Sequence, residues 1–298
     1  ELLNVVQIER QKLVEKVVEN NESLLEKFLE EEEVSVEEIQ QELRNATLSR
    51  QIMPVFCGSA FKNKGVQLLL DGVAKYLPSP NDVPEIVGKH PETDKELIRK
   101  NSDSNFSGLI FKIATDPFAG QLAFVRIYSG VMKSGDVVYN PRNRATERIG
   151  TLVRLHSNRR EDLSIATYGD IVAAVGLKVG GTGDTICSKK SPIVFEETKF
   201  PKPVINMAVE PKTKVDQAKL EAALDIISSE DPSFHHEISK ETGQIVISGM
   251  GELHLEIVLD RLKREFKVGC SAGKPRVSYK ESVKENVKCV YTYENVLN

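Results

Sequence analysis

The sequence predicts a multidomain protein with three parts: an α/β segment, a β-barrel and an α+β sandwich. Three patterns support this prediction. Before residue 80, most apolar residues recur at helical spacing; between residues 105 and 198, short strands follow one another without helices; after residue 199, the order is βαββαβ. A length of 298 residues, with 40% hydrophobic and 28% charged residues, suits two to three globular domains.

The first part combines helices with one apolar strand. Residues 5–29 predict a long helix with a break at Asn20-Asn21. Ser35-Val36-Glu37-Glu38 has the spacing of a capping box and predicts the start of a second helix. The apolar run 52–57 is typical of a buried strand, and a helix is predicted over residues 66–77, where Pro78 follows.

Residues 81–104 are polar and contain two prolines, which is the composition of a linker. Closely spaced strands then follow, with Gly, Pro and Asn in the turns. The predicted strands are 106–115, 122–128, 136–140, 148–156, 170–176 and 184–187. A closed barrel over residues 105–198 is favoured over an open sandwich, because closure leaves few strand edges exposed.

The last part, residues 199–281, predicts a ferredoxin-like βαββαβ sandwich. Its predicted elements are a strand at 203–210, a helix at 214–228, a hairpin of 234–238 and 244–248, a helix at 252–266 and a strand near 272–280. RNA-binding RRM domains share this order, but their aromatic stacking residues are not visible here, since Gln244–Ser248 contains no aromatic side chain.

Several segments carry a resemblance to a known family. The octapeptide Gly249-Met250-Gly251-Glu252-Leu253-His254-Leu255-Glu256 resembles elongation factor G, a translational GTPase. Further segments are similar to the same family in the same order: Lys112–Phe118, Arg126–Gly130, Gly169–Ala173, Val209–Thr213 and Glu230-Asp231-Pro232. Independent motifs in the family order make the resemblance specific.

The resemblance implies a division of the chain. Residues 1–80 would be the C-terminal part of a P-loop GTPase domain with a helical insert, and 105–198 the translation-factor β-barrel called domain II. Residues 199–281 would be domain III, and 282–298 the truncated start of domain IV. The sequence begins at Glu1 without an initiator Met, so we expect a fragment of a longer protein.

The family's function is ribosomal translocation, in which GTP hydrolysis to GDP and phosphate drives tRNA and mRNA movement. The resemblance implies this function for the full-length parent. A ribosome-recycling paralogue and a ribosome-protection protein remain alternatives. A binding module without a GTPase parent is disfavoured by the loop at residues 58–65 and by the strand order. No catalytic residue and no activity are expected from this chain by itself.

The loop Gly58–Gly65 lies between the predicted strand and helix of the first part, where open α/β sheets bind ligands. It resembles the fifth guanine-recognition motif of translational GTPases, which assigns guanine contacts to Ser59, Ala60 and Phe61. The sequence contains no G-x-x-x-x-G-K-[ST] phosphate loop, and Asn63-Lys64 lacks the Asp of an N-K-x-D motif. GTP and Mg²⁺ are therefore expected in the full-length parent, and neither is expected bound to this chain.

The barrel contains the most basic stretch of the chain. Residues 141–160 hold six arginines against one glutamate, a net charge of +5, although the whole chain has a net charge of −4. Clustered arginine suits phosphate contacts, so these residues are candidate rRNA-binding residues. They are Arg142, Arg144, Arg148, Arg154, Arg159 and Arg160. The alternative is that they only keep the outer face of the barrel in water.

The turn at residue 249 has competing interpretations. His254-Leu255-Glu256 matches the H-x-E of zinc deaminases, but the required P-C-x-x-C is absent, and a catalytic Glu252/Glu256 pair is disfavoured. Two glycines indicate a tight turn, with positive φ as an expectation. The resemblance assigns Gly249, Gly251, Glu252 and His254 to interdomain coupling. His254 lies off the apolar stripe, so we expect it to face a neighbouring domain.

The remaining features concern environment and partners. The four cysteines have no C-x-x-C spacing, so neither a metal site nor a disulfide framework is expected. The resemblance implies a monomer that binds the ribosome through rRNA and ribosomal proteins, and contacts tRNA and mRNA indirectly. The acidic run Glu30–Glu33 favours a solvated surface, with docking of the ribosomal stalk protein as the alternative. No membrane partner is expected. The expected location is the cytoplasm, or the mitochondrial matrix of a eukaryote.

Overall fold

The computed structural model describes residues 2–83, 85–116, 119–156, 159–196, 198–277, 279, 281–282, 284–292 and 294. The chain divides into two compact units, Glu1–Ile86 and Val87–Asn298. Among the helices that the structure describes, none combines the length and the apolar character that a membrane span requires.

The first unit is helical. Its helices are α1 (Leu2–Val18), α2 (Glu22–Leu29), α3 (Val36–Leu48) and α4 (Val66–Tyr76), followed by a 3₁₀ turn at Pro80–Asp82. The predicted break at Asn20-Asn21 is confirmed, because the Asn21 side chain caps α2 by accepting the Leu24 N–H. The capping box is also confirmed, with Ser35 and Glu38 bonding each other's backbone N–H. Val17, Val18 and Ile39 lie in the core that α1 and α3 share.

The buried strand predicted at residues 52–57 is wrong. This segment has no strand pairing, and Met53 and Val55 are 85% and 83% exposed. A strand needs a hydrogen-bonded neighbour, and among the described residues no strand lies beside this segment. The segment contacts α4 instead: the Phe56 ring packs so closely on Gly72 that a Cβ there would lie 2.4 Å from it. The helix predicted over residues 66–77 is observed as α4, and its apolar side chains are largely exposed, with Leu70 at 63%.

The second unit begins with a hairpin, so the segment 81–104, for which the sequence predicted a linker, contains two strands. The hairpin consists of β1 (Glu85–Lys89) and β2 (Glu96–Lys100), and β13 (Val194–Phe195) pairs with β1. Arg99 fixes the hairpin, because its Nη2 donates to the carbonyl and hydroxyl oxygens of Ser191, each at 2.6 Å. This partner is 92 residues away, so a local pattern cannot show it.

The barrel follows and confirms the predicted architecture. Its strands are β3 (Ser107–Asp116), β4 (Gly120–Ser129), β5 (Val131–Lys133), β6 (Val137–Asn140), β7 (Ala145–Arg148), β8 (Leu152–His156), β9 (Arg159–Leu163), β10 (Ile165–Thr167), β11 (Ile171–Val175) and β12 (Thr185–Cys187). In the described residues the main sheet has the order β7-β6-β12-β3-β4-β11-β8-β9, and β5 pairs with β10.

The barrel core is formed by apolar residues from most of these strands. Ile110, Val125, Ile127, Leu152 and Ile186 are fully buried in one cluster. Each such side chain contributes about 1.5–3 kcal/mol relative to exposure. Because burial favours apolar residues at the inward positions of a strand, these strands could be predicted from the alternation of apolar and polar residues.

The last domain is ferredoxin-like, as predicted. Its elements are β14 (Ile205–Pro211), α5 (Lys214–Glu230), β15 (His235–Ile238), β16 (Ile245–Gly249), α6 (Glu252–Arg264) and β17 (Cys270–Gly273). The sheet order is β15-β16-β14-β17 with antiparallel neighbours. Leu220, Leu224, Phe234, Ile247 and Leu255 are fully buried between the helices and the sheet.

The C-terminal segment contains less regular structure than expected. The strand predicted near 272–280 is observed at Cys270–Gly273; Ser278 and Lys280 lie outside the described residues. Residues 282–298 were expected to begin a further domain. Residues 283, 293 and 295–298 lie outside the described residues, and the described remainder forms no helix or strand.

Candidate functional site

The guanine-type loop of the first unit is a tight hairpin. The Ser59 N–H donates to the Lys64 carbonyl at 2.9 Å, and the Lys64 N–H donates to the Ser59 carbonyl at 3.0 Å. Two glycines permit this turn. A Cβ on Gly58 would lie 2.8 Å from the Lys64 oxygen, and Gly65 has φ +77°, which favours glycine.

The hairpin presents hydrogen-bond donors to solvent. Phe61 is 99% exposed, and the N–H groups of Ala60, Phe61 and Lys62 have no acceptor among the described residues. Guanine carries a carbonyl acceptor at the position where adenine carries an amino donor. A loop with unpaired N–H groups therefore suits guanine better than adenine.

The hairpin Gly58–Gly65 has donors that suit a base, but the chain lacks the motif that binds the phosphates of a nucleotide. The sequence contains no phosphate loop. In the described part of the chain, no group of three or more His, Cys, Asp or Glu residues is arranged to hold a metal ion. The loop thus offers backbone donors, and among the described residues no cluster of acidic, His or Cys side chains accompanies it that could hold a metal ion.

The first three candidate arginines lie on the β6–β7 hairpin. The Nη1 atom of Arg142 lies 3.1 Å from Oδ1 of Asp184, which is only 3% exposed. Asp184 also accepts from the buried Asn140 amide at 2.9 Å and from the Gly181 N–H at 3.0 Å. Because a buried carboxylate needs its compensating partners, Arg142 has a structural role in the barrel. Arg144 and Arg148 are exposed and make no side-chain ion pair among the described residues.

The other three arginines lie on the β8–β9 hairpin. Arg154 lies 3.6 Å from Glu161 and 3.9 Å from Asp170, and Arg160 lies 3.5 Å from Asp116. These pairs are partly exposed, and pairs of this kind contribute only about 0–1 kcal/mol. Phosphate can therefore displace these carboxylates at little cost.

Arg159 is exposed and, in the described residues, has no ion-pair partner. The two hairpins carry the edge strands β7 and β9, which lie at opposite ends of the sheet order. The six arginines are therefore divided between two hairpins of the barrel. Among the described residues, Arg144, Arg148 and Arg159 are the arginines of this set without an acidic partner.

The glycine turn before α6 differs from the expectation of positive φ. Gly251 is the N-cap of α6 with φ −175°, and Gly249 also has no positive φ. Gly249 is required for a different reason. A Cβ there would lie 2.7 Å from Cδ2 of Leu255 and 3.0 Å from Nδ1 of His254, whereas a Cβ on Gly251 would meet nothing within 4 Å. Close packing therefore constrains Gly249 alone.

His254 is bonded within its own domain, whereas the sequence suggested a neighbouring one. Its Nδ1 accepts the Met250 N–H at 3.1 Å, so in the neutral ring the proton is on Nε2. Nε2 lies 3.0 Å from Oδ2 of Asp231, and the ring meets Phe234 edge-on at 6.3 Å. Glu252 lies in the first turn of α6, is exposed, and makes no side-chain hydrogen bond in the described residues.

Sequence patterns assigned no role to Asp231, which the structure places beside His254. Burial raises the pKa of Asp231, but hydrogen bonds from Ser233 and the nearby His254 outweigh it and leave the pKa below its ordinary value. The signal was present in Glu230-Asp231. Two carboxylates at the C-terminal end of a helix oppose the helix dipole, so they need partners from elsewhere.

Comparison with known proteins matches both domains of the second unit. A family model described as "Elongation factor G domain 2" matches residues 105–189, and one described as "Elongation Factor G, domain III" matches residues 200–274. A solved crystal structure of a protein from Thermus thermophilus is 29% identical, with a TM-score of 0.74. That match covers 92% of this chain, and the chain spans 39% of the length of that protein.

A barrel followed by a ferredoxin-like domain, each matched by these models in this order, defines the class of translation elongation factors. Within this class, the chain belongs to the elongation factor G family. It contains the β-barrel domain II and the ferredoxin-like domain III of that family.

Proposed function

We propose that the chain is the ribosome-binding part of a translocation GTPase, which moves tRNA and mRNA through the ribosome and hydrolyses GTP to GDP and phosphate. The observation that carries this proposal is the match of domains II and III, in that order, to consecutive segments of the chain. The proposed location is the cytoplasm.

Within this function, the barrel contacts ribosomal RNA. The supporting observation is that Arg144, Arg148 and Arg159 are exposed and have no acidic partner in the described residues. Arginine binds phosphate in a bidentate manner, and the chain as a whole is acidic, so these positions are where a polyanion is attracted. The acidic run Glu30–Glu33 of the first unit would remain solvated, or would dock the ribosomal stalk protein, and its charge disfavours RNA there.

The hairpin Gly58–Gly65 contributes to nucleotide selection. Its unpaired N–H groups at Ala60 and Phe61 would donate to the guanine carbonyl and disfavour adenine. Hydrolysis itself belongs to parts of the longer protein that hold the phosphates. In this scheme the chain contributes to selection of the base and binds RNA.

The test uses the full-length protein that carries this chain and ribosomes in the pre-translocation state with fluorescently labelled mRNA. The expected result is GTP-dependent movement of the mRNA by one codon. Two results would contradict the proposal. Subunit splitting with a recycling factor, without mRNA movement, would indicate a recycling paralogue, and release of a ribosome-bound antibiotic would indicate a ribosome-protection protein.

A further inference from the structure

Glu230, the last residue of α5, bonds to two domains at once. Its Oε1 accepts the backbone N–H of Thr115 in the barrel at 2.7 Å, and its Oε2 accepts from Nη2 of Arg261 on α6 at 2.8 Å. The Glu230 side chain is only 15% exposed. Both oxygens of this largely buried carboxylate are thus engaged, one by each domain, which fixes the carboxylate more firmly than a single surface pair would.

Thr115 lies in the part of β3 that does not pair with β12. Strand β12 pairs with β3 only at Ser107–Leu109, so among the described residues the same side of β3 is open at Thr115. An unpaired strand edge exposes backbone N–H groups that need an acceptor. Glu230 supplies that acceptor from domain III, and the barrel edge is completed by a side chain of the next domain.

The residue after Glu230 connects the same helix end to the glycine turn. Asp231 lies 3.0 Å from Nε2 of His254, and Nδ1 of that ring accepts the Met250 N–H. On the barrel side, Asp116 follows Thr115 and lies 3.5 Å from Arg160. The adjacent carboxylates of Glu230 and Asp231 therefore have different partners: Glu230 bonds to the barrel and to Arg261, and Asp231 lies beside His254.

We propose that Glu230 and Asp231 form a mechanical connection through which the position of the turn at Met250 sets the position of barrel strand β3. The helix end is rigid because Asp231 caps it: its N–H bonds to the Ile227 carbonyl at 2.9 Å. A shift of His254 then displaces Asp231, and with it the Glu230 carboxylate. Glu230 is a positioning residue in this scheme and touches no substrate.

The connection predicts amide exchange at Thr115, measured by site-resolved hydrogen exchange on the whole chain. In Glu230→Ala the Thr115 amide should exchange roughly tenfold faster or more, as expected for the loss of a bond to a charged acceptor. Glu265→Ala is the matched control, because Glu265 pairs with the same Arg261 at 2.9 Å and makes no hydrogen bond to the barrel within the described residues. Unchanged exchange at Thr115 in Glu230→Ala would overturn the proposal, and so would equal acceleration in Glu265→Ala.

The second arm tests transmission from the turn. His254→Ala should accelerate Thr115, although His254 makes no hydrogen bond to the barrel in the described residues. His236→Ala is the control, because His236 makes a similar pair with Asp225 of α5 at 3.3 Å, earlier on the same helix. Thr115 should respond to His254→Ala and keep its wild-type rate in His236→Ala; a wild-type rate in His254→Ala would refute transmission from the turn.

General destabilisation is distinguished by the amide of Leu224 in the domain III core. His254→Ala should also accelerate Leu224, because it lowers the free energy of unfolding of domain III. If the acceleration at Thr115 depends on denaturant concentration as strongly as that at Leu224, the effect is unfolding of the domain and the proposed connection is refuted. Acceleration of Thr115 that does not depend on denaturant reports local opening at the barrel edge and supports the connection. Glu230→Gln keeps an oxygen that can accept from Thr115 and removes the charge, so it should give an intermediate rate.

Discussion

The Nε2 atom of His254 lies 3.0 Å from Oδ2 of Asp231, and this pair joins the start of α6 to the end of α5. The other ring nitrogen accepts the Met250 N–H at 3.1 Å. One imidazole therefore holds the glycine turn and the helix end together. The histidine is bonded within domain III, and its partner Asp231 is adjacent to Glu230, which bonds to Thr115 of the barrel.

His254→Ala should lower the free energy of unfolding of domain III by about 1–3 kcal/mol, because Asp231 and the Met250 N–H both lose a partner. Denaturant unfolding followed by circular dichroism measures this change. Glu256→Ala is the control, since Glu256 is exposed on the same helix and has no side-chain partner among the described residues. A loss no larger in His254→Ala than in the control would show that the imidazole is dispensable for stability.

Gly249→Val should destabilise domain III by about 1–3 kcal/mol through overpacking. The added side chain would collide with Leu255 and His254, which are fixed by the core and by hydrogen bonds. Gly251→Ala is the matched control, because its Cβ meets nothing within 4 Å and its φ of −175° suits any residue. Equal stability losses in the two variants would contradict the packing explanation.

The contribution of Glu38 to stability should depend on pH. The Lys27 ammonium and the Ser35 backbone N–H lower the pKa of Glu38 from 4.5 to about 2. A lowered pKa stabilises the fold above the unfolded value, so this contribution should be complete above pH 4.5 and lost as the pH falls toward 2. The thermal midpoint of Glu38→Gln should therefore lie below that of wild type at neutral pH, and the difference should shrink over that window.

Glu37→Gln provides the comparison for the pH series. Glu37 lies in the same turn of α3, is exposed, and has no side-chain partner in the described residues. Its difference from wild type should stay small at all pH values. A Glu38→Gln difference that persists unchanged down to the lowered pKa would show that shape, and not charge, makes Glu38 stabilising.

The chain by itself should neither bind GTP tightly nor hydrolyse it. The hairpin Gly58–Gly65 offers donors to a base, but the sequence contains no phosphate loop. Isothermal titration calorimetry with GTP and Mg²⁺ measures the affinity, and phosphate release measures the activity. A micromolar dissociation constant would mean that residues outside the known motif hold the phosphates.

The sequence was informative where local pattern decides structure. The capping box at Ser35 and Glu38 was readable because its partners are three residues apart. The barrel strands with apolar inward residues were readable from alternation. In contrast, β7 and β9 are short and polar, and Arg159–Leu163 shows no alternation at all. Their pairing depends on neighbours elsewhere in the chain.

Contacts between distant residues explain the remaining differences. Arg142 is a candidate RNA contact by sequence, and only the fold places it beside the buried Asp184, far along the chain. Glu230 looked like part of a helix stop, although its partner Thr115 lies 115 residues earlier. The sequence shows that six arginines are concentrated in residues 141–160. Which of them remain without an acidic partner depends on the fold.

The most direct test of the account is ribosome binding by this chain at several salt concentrations, with Arg144, Arg148 and Arg159 replaced together by Gln. Each lost phosphate contact should reduce the slope of log K against log salt by about 0.7–0.9, and affinity should fall. The control replaces three exposed domain III lysines, Lys214, Lys219 and Lys240, by Gln and removes the same charge. The account predicts a flatter slope for the arginine variant alone, and an unchanged slope, or an equal change in the control, would contradict it.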